Sequence, residues 1–523
     1  MTELLKNHVS GKWIAGGGGG AILRDPILGT ELVRVSSAGL DLDASYEYAR
    51  RVGGAALRAM SYAERAACLR AVIKVLKANR ERYAEISIAN SGSTARDIKA
   101  DVDGAIFTLG SYARLGEQLG DRRYLIDGET TALDKDGQFH GQHLMVPTRG
   151  IVLCINAFNF PAWGLWEKAG PALLSGVPVV CKPATATAWL THQMVADVVG
   201  AAVLPTGALS LICGSSEQLL EPLSSHDLLS FTGAAQTAAM LRRHERVIHQ
   251  SIRTNVETDS INSVLLDARV AVDSDFFSQF ITDLCDEITV RAGQRCTAPR
   301  RIFVREEDYD TVAEALATAL AKVKLGNPRN PTVMMGPVVN RSQQHHVHEG
   351  LARLSKHCEL LFDGAGLDWV DADPRIATCV GQHLLGIRKP EANSLVHEIE
   401  VFGPVATLIA YQSTDQALEL IRRGNGSLVD SIYTEDPAFI AQSALELADC
   451  HGRVHAVTPE VSQSRTGHGN VMPGSLHGGP GRAGGGEELG GLRALSFYHR
   501  RSALQAGTAA LTHLSAAGAS YRP

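Results

Sequence analysis

From residue 148 the chain alternates short apolar runs with segments of helix length, and that alternation limits the fold more than any other feature. The runs are Ile151–Ile155, Val177–Cys181, Leu209–Cys213, Leu228–Phe231 and a stretch ending at Glu257. Helical patterns at Trp163–Leu174 and Thr191–Val203 lie between them. Strands that are apolar on both faces belong in a parallel sheet covered by helices on each side. Ligands of such sheets bind beyond the carboxyl ends of the strands. That rule directs attention to Asn156–Asn159, Lys182–Thr185, Gly214, Thr232–Gly233 and Glu257.

The rest of the chain divides around this block. A chain of 523 residues exceeds one core, so two or three domains are expected. Gly16 to Gly20 predicts a flexible loop between edge strands. Ser61 and Glu64 have the spacing of a capping box, and Leu69, Val72, Ile73, Leu76, Tyr83 and Ile86 follow at helical period, with Gly92 past the end. A second α/β region runs from 258 to 470. It includes an amphipathic helix (Val312, Leu316, Leu320, Val323) closed by Gly326 and Pro328. Residues 466–486, rich in glycine and proline, read as loop.

Composition excludes several classes of function. A formal net charge of −6 lacks the basic stripe that nucleic acid requires. No apolar run approaches the roughly 20 residues that span a bilayer, and Met1–Lys6 lacks the order of a secretory signal. A cytoplasmic chain without a membrane partner is expected. The nine cysteines are scattered and form no Cys-x-x-Cys, which speaks against disulfides and a zinc cluster. Cys154, Cys181 and Cys213 sit in or at the ends of the apolar runs and read as core. No histidine spacing suggests a metal site, so none is expected.

Gly293-Gln294-Arg295-Cys296-Thr297 is different in kind, because a cysteine among glycine, polar and cationic neighbours is poorly explained as core. A thiolate there could attack a carbonyl carbon. Glu257 could take the thiol proton or activate a water, and Asn159 could donate to the oxyanion. There is no Gly-x-Gly-x-x-Gly after a strand, so a cofactor reading rests elsewhere. Phe231-Thr232-Gly233-Ala234 closes a strand and opens a helix, where backbone N–H groups could receive a phosphate. On its own that signal is weak. Lys182, at a strand end, could bind ribose hydroxyls or a phosphate, but on this feature alone a lysine reaching water is the better reading.

Asn159-Phe160-Pro161, Lys182-Pro183-Ala184, Phe231-Thr232-Gly233, Glu257, Gly293-Gln294-Arg295-Cys296 and Glu400-Val401-Phe402-Gly403-Pro404 occur in an order and spacing that resembles the aldehyde dehydrogenase superfamily over nearly the whole chain. The resemblance implies an α/β architecture: a Rossmann-like cofactor domain (1–130 and 150–257), an α/β catalytic domain (258–470), and a β-arm oligomerisation element with the C-terminal segment (131–149 and 471–523) that builds a homodimer. It implies oxidation of an aldehyde to an acid through a thioester on Cys296, with Glu257 as base and Asn159 in the oxyanion hole. Phe158, Lys182, Ala184, Thr185, Gly214, Thr232, Gly233, Glu400 and Phe402 are the implied cofactor contacts. Lys182 matches the lysine on the adenosine ribose, Glu400 the glutamate on the nicotinamide ribose, and Phe402 would pack beside the nicotinamide. Lys168 and Glu488 match positions of a proton relay.

Departures from the family pattern narrow this reading. The usual glutamate three residues after Lys182 is Thr185, which removes the group that repels a 2′-phosphate and favours NADP over NAD. Ala234 replaces a serine, and Thr258-Asp259-Ser260 replace Leu-Gly-Gly after Glu257. The Glu-x-Asp-Ser-x-Asn set resembles members that act on CoA-linked semialdehydes, so a CoA-thioester semialdehyde is the implied substrate. A CoA-acylating enzyme, a general aliphatic or aromatic aldehyde dehydrogenase, a cofactor-free cysteine hydrolase with a histidine partner, and a non-enzymatic protein on the same fold are the alternatives.

Overall fold

The computed structural model describes residues 2–215, 218–390 and 395–523. Its first sheet contains β1 (Asn7–Val9), β2 (Lys12–Ile14), β3 (Val152–Ile155), β4 (Val179–Lys182), β5 (Leu209–Leu211), β6 (Leu228–Thr232) and β7 (Arg253–Glu257). The spatial order is β7-β6-β3-β4-β5-β1-β2. The five strands from β3 to β7 are mutually parallel, and β1 and β2 add an antiparallel edge. Successive residues of a strand face opposite sides. Val152 and Cys154 enter one core and Leu153 and Ile155 the other, which is why these strands are apolar throughout. The chain starts at β3, grows outward through β4 and β5, then returns to β6. The β3/β6 border is therefore the switch point where such sheets open a crevice.

The second sheet follows with only 258–261 between. It holds β8 (Asn262–Leu266), β9 (Pro299–Arg305), β10 (Glu359–Asp363), β11 (His383–Ile387), β12 (Val405–Tyr411), β13 (Ser427–Tyr433) and β14 (His451–Val457). Their order is β10-β11-β12-β9-β8-β13-β14, parallel except for β10. It has its own core, with Ile302, Phe303, Leu408 and Ile432 fully buried.

A third sheet projects as an arm from Leu125–Ala132, Phe139–Pro147, His499–Gly507 and Ala519–Tyr521. Its first strand straddles residues 130 and 131. Of the segment 471–523 only the last two strands lie here, because Leu476–Gly478 and Glu487–Leu489 pair as a separate hairpin. That hairpin gives the glycine-rich stretch 466–486 more structure than a loop.

The helix predicted from the capping box at Ser61 is two helices, α1 (Tyr62–Ala78) and α2 (Arg80–Ser91). Asn79 breaks it at φ −108°, ψ 10°, and its side chain donates to the Val75 carbonyl. Both halves of the capping box form, and Gly92 ends α2 in the left-handed region. Three further helices bear on the site: α3 (Trp163–Leu174), α4 (Ala188–Gly200) and α5 (Ala235–Arg243). The helix α4 begins three residues before the sequence pattern suggests. Among the described residues no helix is long and apolar enough to cross a membrane.

Candidate active site

The carboxyl ends of the first sheet and the amino ends of the second meet across one cleft of about 750 Å³. The first sheet contributes Phe158 and Asn159 after β3, Lys182 at the end of β4 with Ala184 and Thr185 beyond it, Thr232 and Gly233 at β6, and Glu257 at β7. The strand register sets Thr232 beside Glu257 and Ile155 beside Lys182. The second sheet contributes Cys296 from just before β9, and Glu400 and Phe402 from just before β12.

Cys296 is held by its backbone. Arg291, Ala292 and Gly293 are successive left-handed residues (φ 58°, 50° and 66°), which turn the chain sharply after the helix Asp275–Thr289. A Cβ on Gly293 would lie 2.1 Å from the Gly403 carbonyl oxygen, so the cysteine and Glu-x-Phe-Gly-Pro motifs touch backbone to backbone. The Arg300 guanidinium donates to the carbonyls of both Gly403 (2.7 Å) and Gly293 (2.9 Å). Asn262 donates to the Cys296 carbonyl at 2.8 Å and accepts from Ser260 Oγ at 2.6 Å, while the Ser260 N–H donates to Glu400 Oε2 at 3.0 Å. The Ser-x-Asn that departs from the family pattern thus fixes both the nucleophile loop and Glu400. Asp259 also has a place: its carboxylate accepts the Ala235 N–H at 3.0 Å and caps α5, taking up one donor at the proposed phosphate position.

Around the thiol, Cys296 Sγ, a Glu257 carboxylate oxygen and a His477 ring nitrogen all lie within 4.8 Å of one another. Burial pushes the Cys296 thiol well above its ordinary range, and the Glu257 carboxylate adds to this. Burial also opposes ionisation of Glu257, but the His477 imidazole, 2.9 Å away, together with Lys168 and the Cys296 thiol, outweighs it and holds the carboxyl at about 2. In the resting site the proton sits on sulfur and the carboxylate is charged. Lys168, on α3, lies beneath, with Nζ 2.6 Å from Glu167 Oε1 and 3.0 Å from Glu488 Oε2. Burial disfavours the ammonium, yet Glu167, Glu488 and Glu257 together raise Lys168 above its ordinary value.

Three expected residues, Lys168, Glu488 and Gly214, stand apart from the cleft wall. Glu488 belongs to the buried lysine cluster, where Asn255 Nδ2 donates to its Oε1 at 3.3 Å. Gly214 approaches the backbone of Ser36 and Ser37 closely: at φ 142° its Cβ would lie 2.5 Å from the Ser37 nitrogen. Its carbonyl accepts the Thr185 hydroxyl at 2.9 Å, so Gly214 shapes the Thr185 end of the cleft through its backbone. Sequence reasoning missed His477 and Glu167. The first lay in a stretch read as loop, and the second was not singled out.

A dinucleotide fits the groups left free in this cleft. Thr232 Oγ1 and Glu400 Oε1 are buried without hydrogen-bond partners among the described residues, and both residues line it. Burial raises Glu400 to about 7, with Arg300 opposing. The rings of Phe158 and Phe402 meet edge to face at 5.8 Å.

A cysteine thiol and a buried carboxylate stand together in a cleft at the carboxyl ends of a parallel sheet, the place where enzymes of this architecture bind their ligands. The chain belongs to the aldehyde dehydrogenase family, whose model matches residues 13–501. It is 49% identical over 477 residues, 91% of this chain and 93% of the relative, to the 3,4-dehydroadipyl-CoA semialdehyde dehydrogenase of Aromatoleum evansii. Among solved structures, a 3,6-anhydro-L-galactose dehydrogenase in complex with NAP aligns with a TM-score of 0.83 at 21% identity, covering 97% of this chain and 100% of the other. A lactaldehyde dehydrogenase from Escherichia coli aligns with a TM-score of 0.83 at 18% identity, covering 97% and 99%. The protein is therefore an oxidoreductase acting on aldehydes, with the α/β fold of that family.

Proposed function

We propose that the protein oxidises a CoA-linked semialdehyde, such as 3,4-dehydroadipyl-CoA semialdehyde, to the carboxylic acid, with NADP preferred over NAD. The observation that carries the chemistry is the Cys296–Glu257 juxtaposition at the end of the cleft. The substrate class rests on the 49% identical relative.

Glu257 accepts the Cys296 proton as the carbon–sulfur bond forms, since a sulfur bonded to the carbonyl carbon no longer competes for it. The Asn159 amide, with the Cys296 N–H, stabilises the oxyanion. The dinucleotide, when bound, supplies the hydride acceptor. Glu257 then takes a proton from the water that cleaves the Cys296 thioester, and this need for a base favours acid over acyl-CoA as the product. Lys168 and Glu488, with Glu167, provide the buried route by which Glu257 returns its proton. Lys182 and Glu400 would hold the two riboses of the dinucleotide, and Thr232 and Gly233 would receive its pyrophosphate. With Thr185 in place of a carboxylate, a 2′-phosphate meets no negative charge at that position. Exposed Leu133, Phe139, Val146 and Leu504 on the arm sheet support its use as a contact with a second copy.

The test is reduction of NADP and, separately, NAD by purified enzyme with a CoA-linked C6 semialdehyde, followed by nicotinamide absorbance. Faster reduction of NADP is expected. Reduction with simple aldehydes alone would discard the CoA-linked substrate, and faster reduction of NAD would discard the cofactor preference.

A further inference from the structure

Glu257 is a carboxylate in a place that should neutralise it. It is only 2% exposed, and Cys296 and Glu167 near it are an acid and a second carboxyl group. The nearby cation, Lys168, is already engaged by Glu167 at 2.6 Å and Glu488 at 3.0 Å. The group in direct contact is His477, whose Nε2 lies 2.9 Å from Glu257 Oε2 with both side chains buried. Glu257 Oε1 and His477 Nε2 are both buried with no hydrogen-bond partner among the described residues, so the 2.9 Å approach is a close contact and not an aligned hydrogen bond.

The imidazole is itself well anchored. It sits on the strand Leu476–Gly478, directly opposite Glu488 in the hairpin register. The Trp163 indole meets it edge to face, with centroids 5.7 Å apart at 67°. Both Trp163 and Lys168 lie on α3, so the contacts of the imidazole and the lysine cluster share one scaffold.

We propose that His477 is a positioning residue for Glu257: its imidazole sits at contact distance from one carboxylate oxygen, holds the side chain beside Cys296 and favours its charged form. The inference rests on the reading of Glu257 as the base. The charged and titratable groups facing Glu257 are His477 from the hairpin, Cys296 from the loop before β9, and Lys168 and Glu167 from α3. Of these, His477 is the one whose ring lies at contact distance, 2.9 Å.

The experiment titrates Glu257 directly. Infrared difference spectra of the full-length protein follow the carbonyl stretch of its protonated carboxyl, assigned by its loss in Glu257→Gln. In wild type this band should grow only at the acid end. In His477→Phe it should appear at a pH higher by about one unit or more, the usual effect of losing a neighbour that favours the charged form. His477→Gln serves as a second variant should the phenylalanine disturb folding. A titration unmoved in the variants overturns the proposal. The acid limb of the kcat profile for aldehyde oxidation should move upward with the band. If the band shifts and the limb does not, His477 still governs Glu257, but Glu257 is not the base. A merely structural histidine would alter neither midpoint.

Discussion

The two seven-stranded sheets look alike in size and in their mainly parallel strands, yet they meet the cleft with opposite ends. The first offers residues that follow its strands: Asn159 after β3, Lys182 at β4, Thr232 at β6 and Glu257 at β7. The second offers residues that precede its strands: Asn262 opens β8, Cys296 stands three residues before β9, and Glu400–Pro404 run into β12. The rule that parallel sheets bind ligands at their carboxyl ends describes the first and fails for the second. On the proposed reading, one sheet is a nucleotide-binding platform, and the other is the rigid backing for two loops that carry the nucleophile and a ribose contact.

If that division of labour is right, damage to the two sides separates in kinetics. The largest effect is expected at the second sheet: Cys296→Ala should lower kcat by about 10⁴-fold or more, because no other group in the cleft supplies the nucleophile. Retention of wild-type turnover would remove the covalent mechanism. Next come two glycines that each pack against foreign backbone. Gly293→Ala and Gly214→Ala should each cost about 2–4 kcal/mol, from left-handed φ and a Cβ clash. Thermal unfolding would show both losses. Steady-state kinetics should divide them, with Gly293→Ala depressing kcat and Gly214→Ala raising KM for the dinucleotide. The same pattern in both would dissolve the comparison.

The smallest effect concerns pH. Burial raises Glu400 to about 7, so the ionised form is disfavoured in the folded, ligand-free protein. Stability contributed by the protonated group is present below the ordinary carboxylate range and is lost as pH rises through about 7. Dinucleotide affinity should run the other way, since only the ionised carboxyl accepts from two ribose hydroxyls. A few-fold gain in affinity from pH 6 to 8, absent in Glu400→Gln, is expected by titration calorimetry. An unchanged slope in the variant would place the titrating group elsewhere.

How much of this was legible beforehand follows the same division. The strands of the first sheet, and the residues just past them, could be read from apolar runs because burial on both faces leaves that mark. The second sheet's loops left no periodic mark, and Cys296 and Glu400 were found through their motifs. Helix α1 showed its capping box, but the break at Asn79 did not show, because apolar period continues across it into Tyr83 and Ile86. His477 was invisible for a related reason. Its partner Glu257 is 220 residues away in sequence, and nothing local to Leu476–Gly478 reports a contact at that range. The Thr258-Asp259-Ser260 departure left local geometry open, and the side chains of Asp259 and Ser260 turned out to have specific partners.

The four residues from Thr258 to Ile261 deserve a last consequence. They are the whole of the connection between Glu257, which ends one sheet, and Asn262, which begins the other and grips the Cys296 carbonyl. Glu257 and the residue that holds the Cys296 carbonyl are thus spaced by a short covalent ruler rather than by the fit of two bodies. Breathing of the cleft as ligands come and go can change its width far from this point, where the walls are joined only by packing, but has little leverage here. Chain length itself keeps Glu257 and Asn262 in gauge, and lengthening this segment by even one residue would be felt at the sulfur before it was felt anywhere in either core.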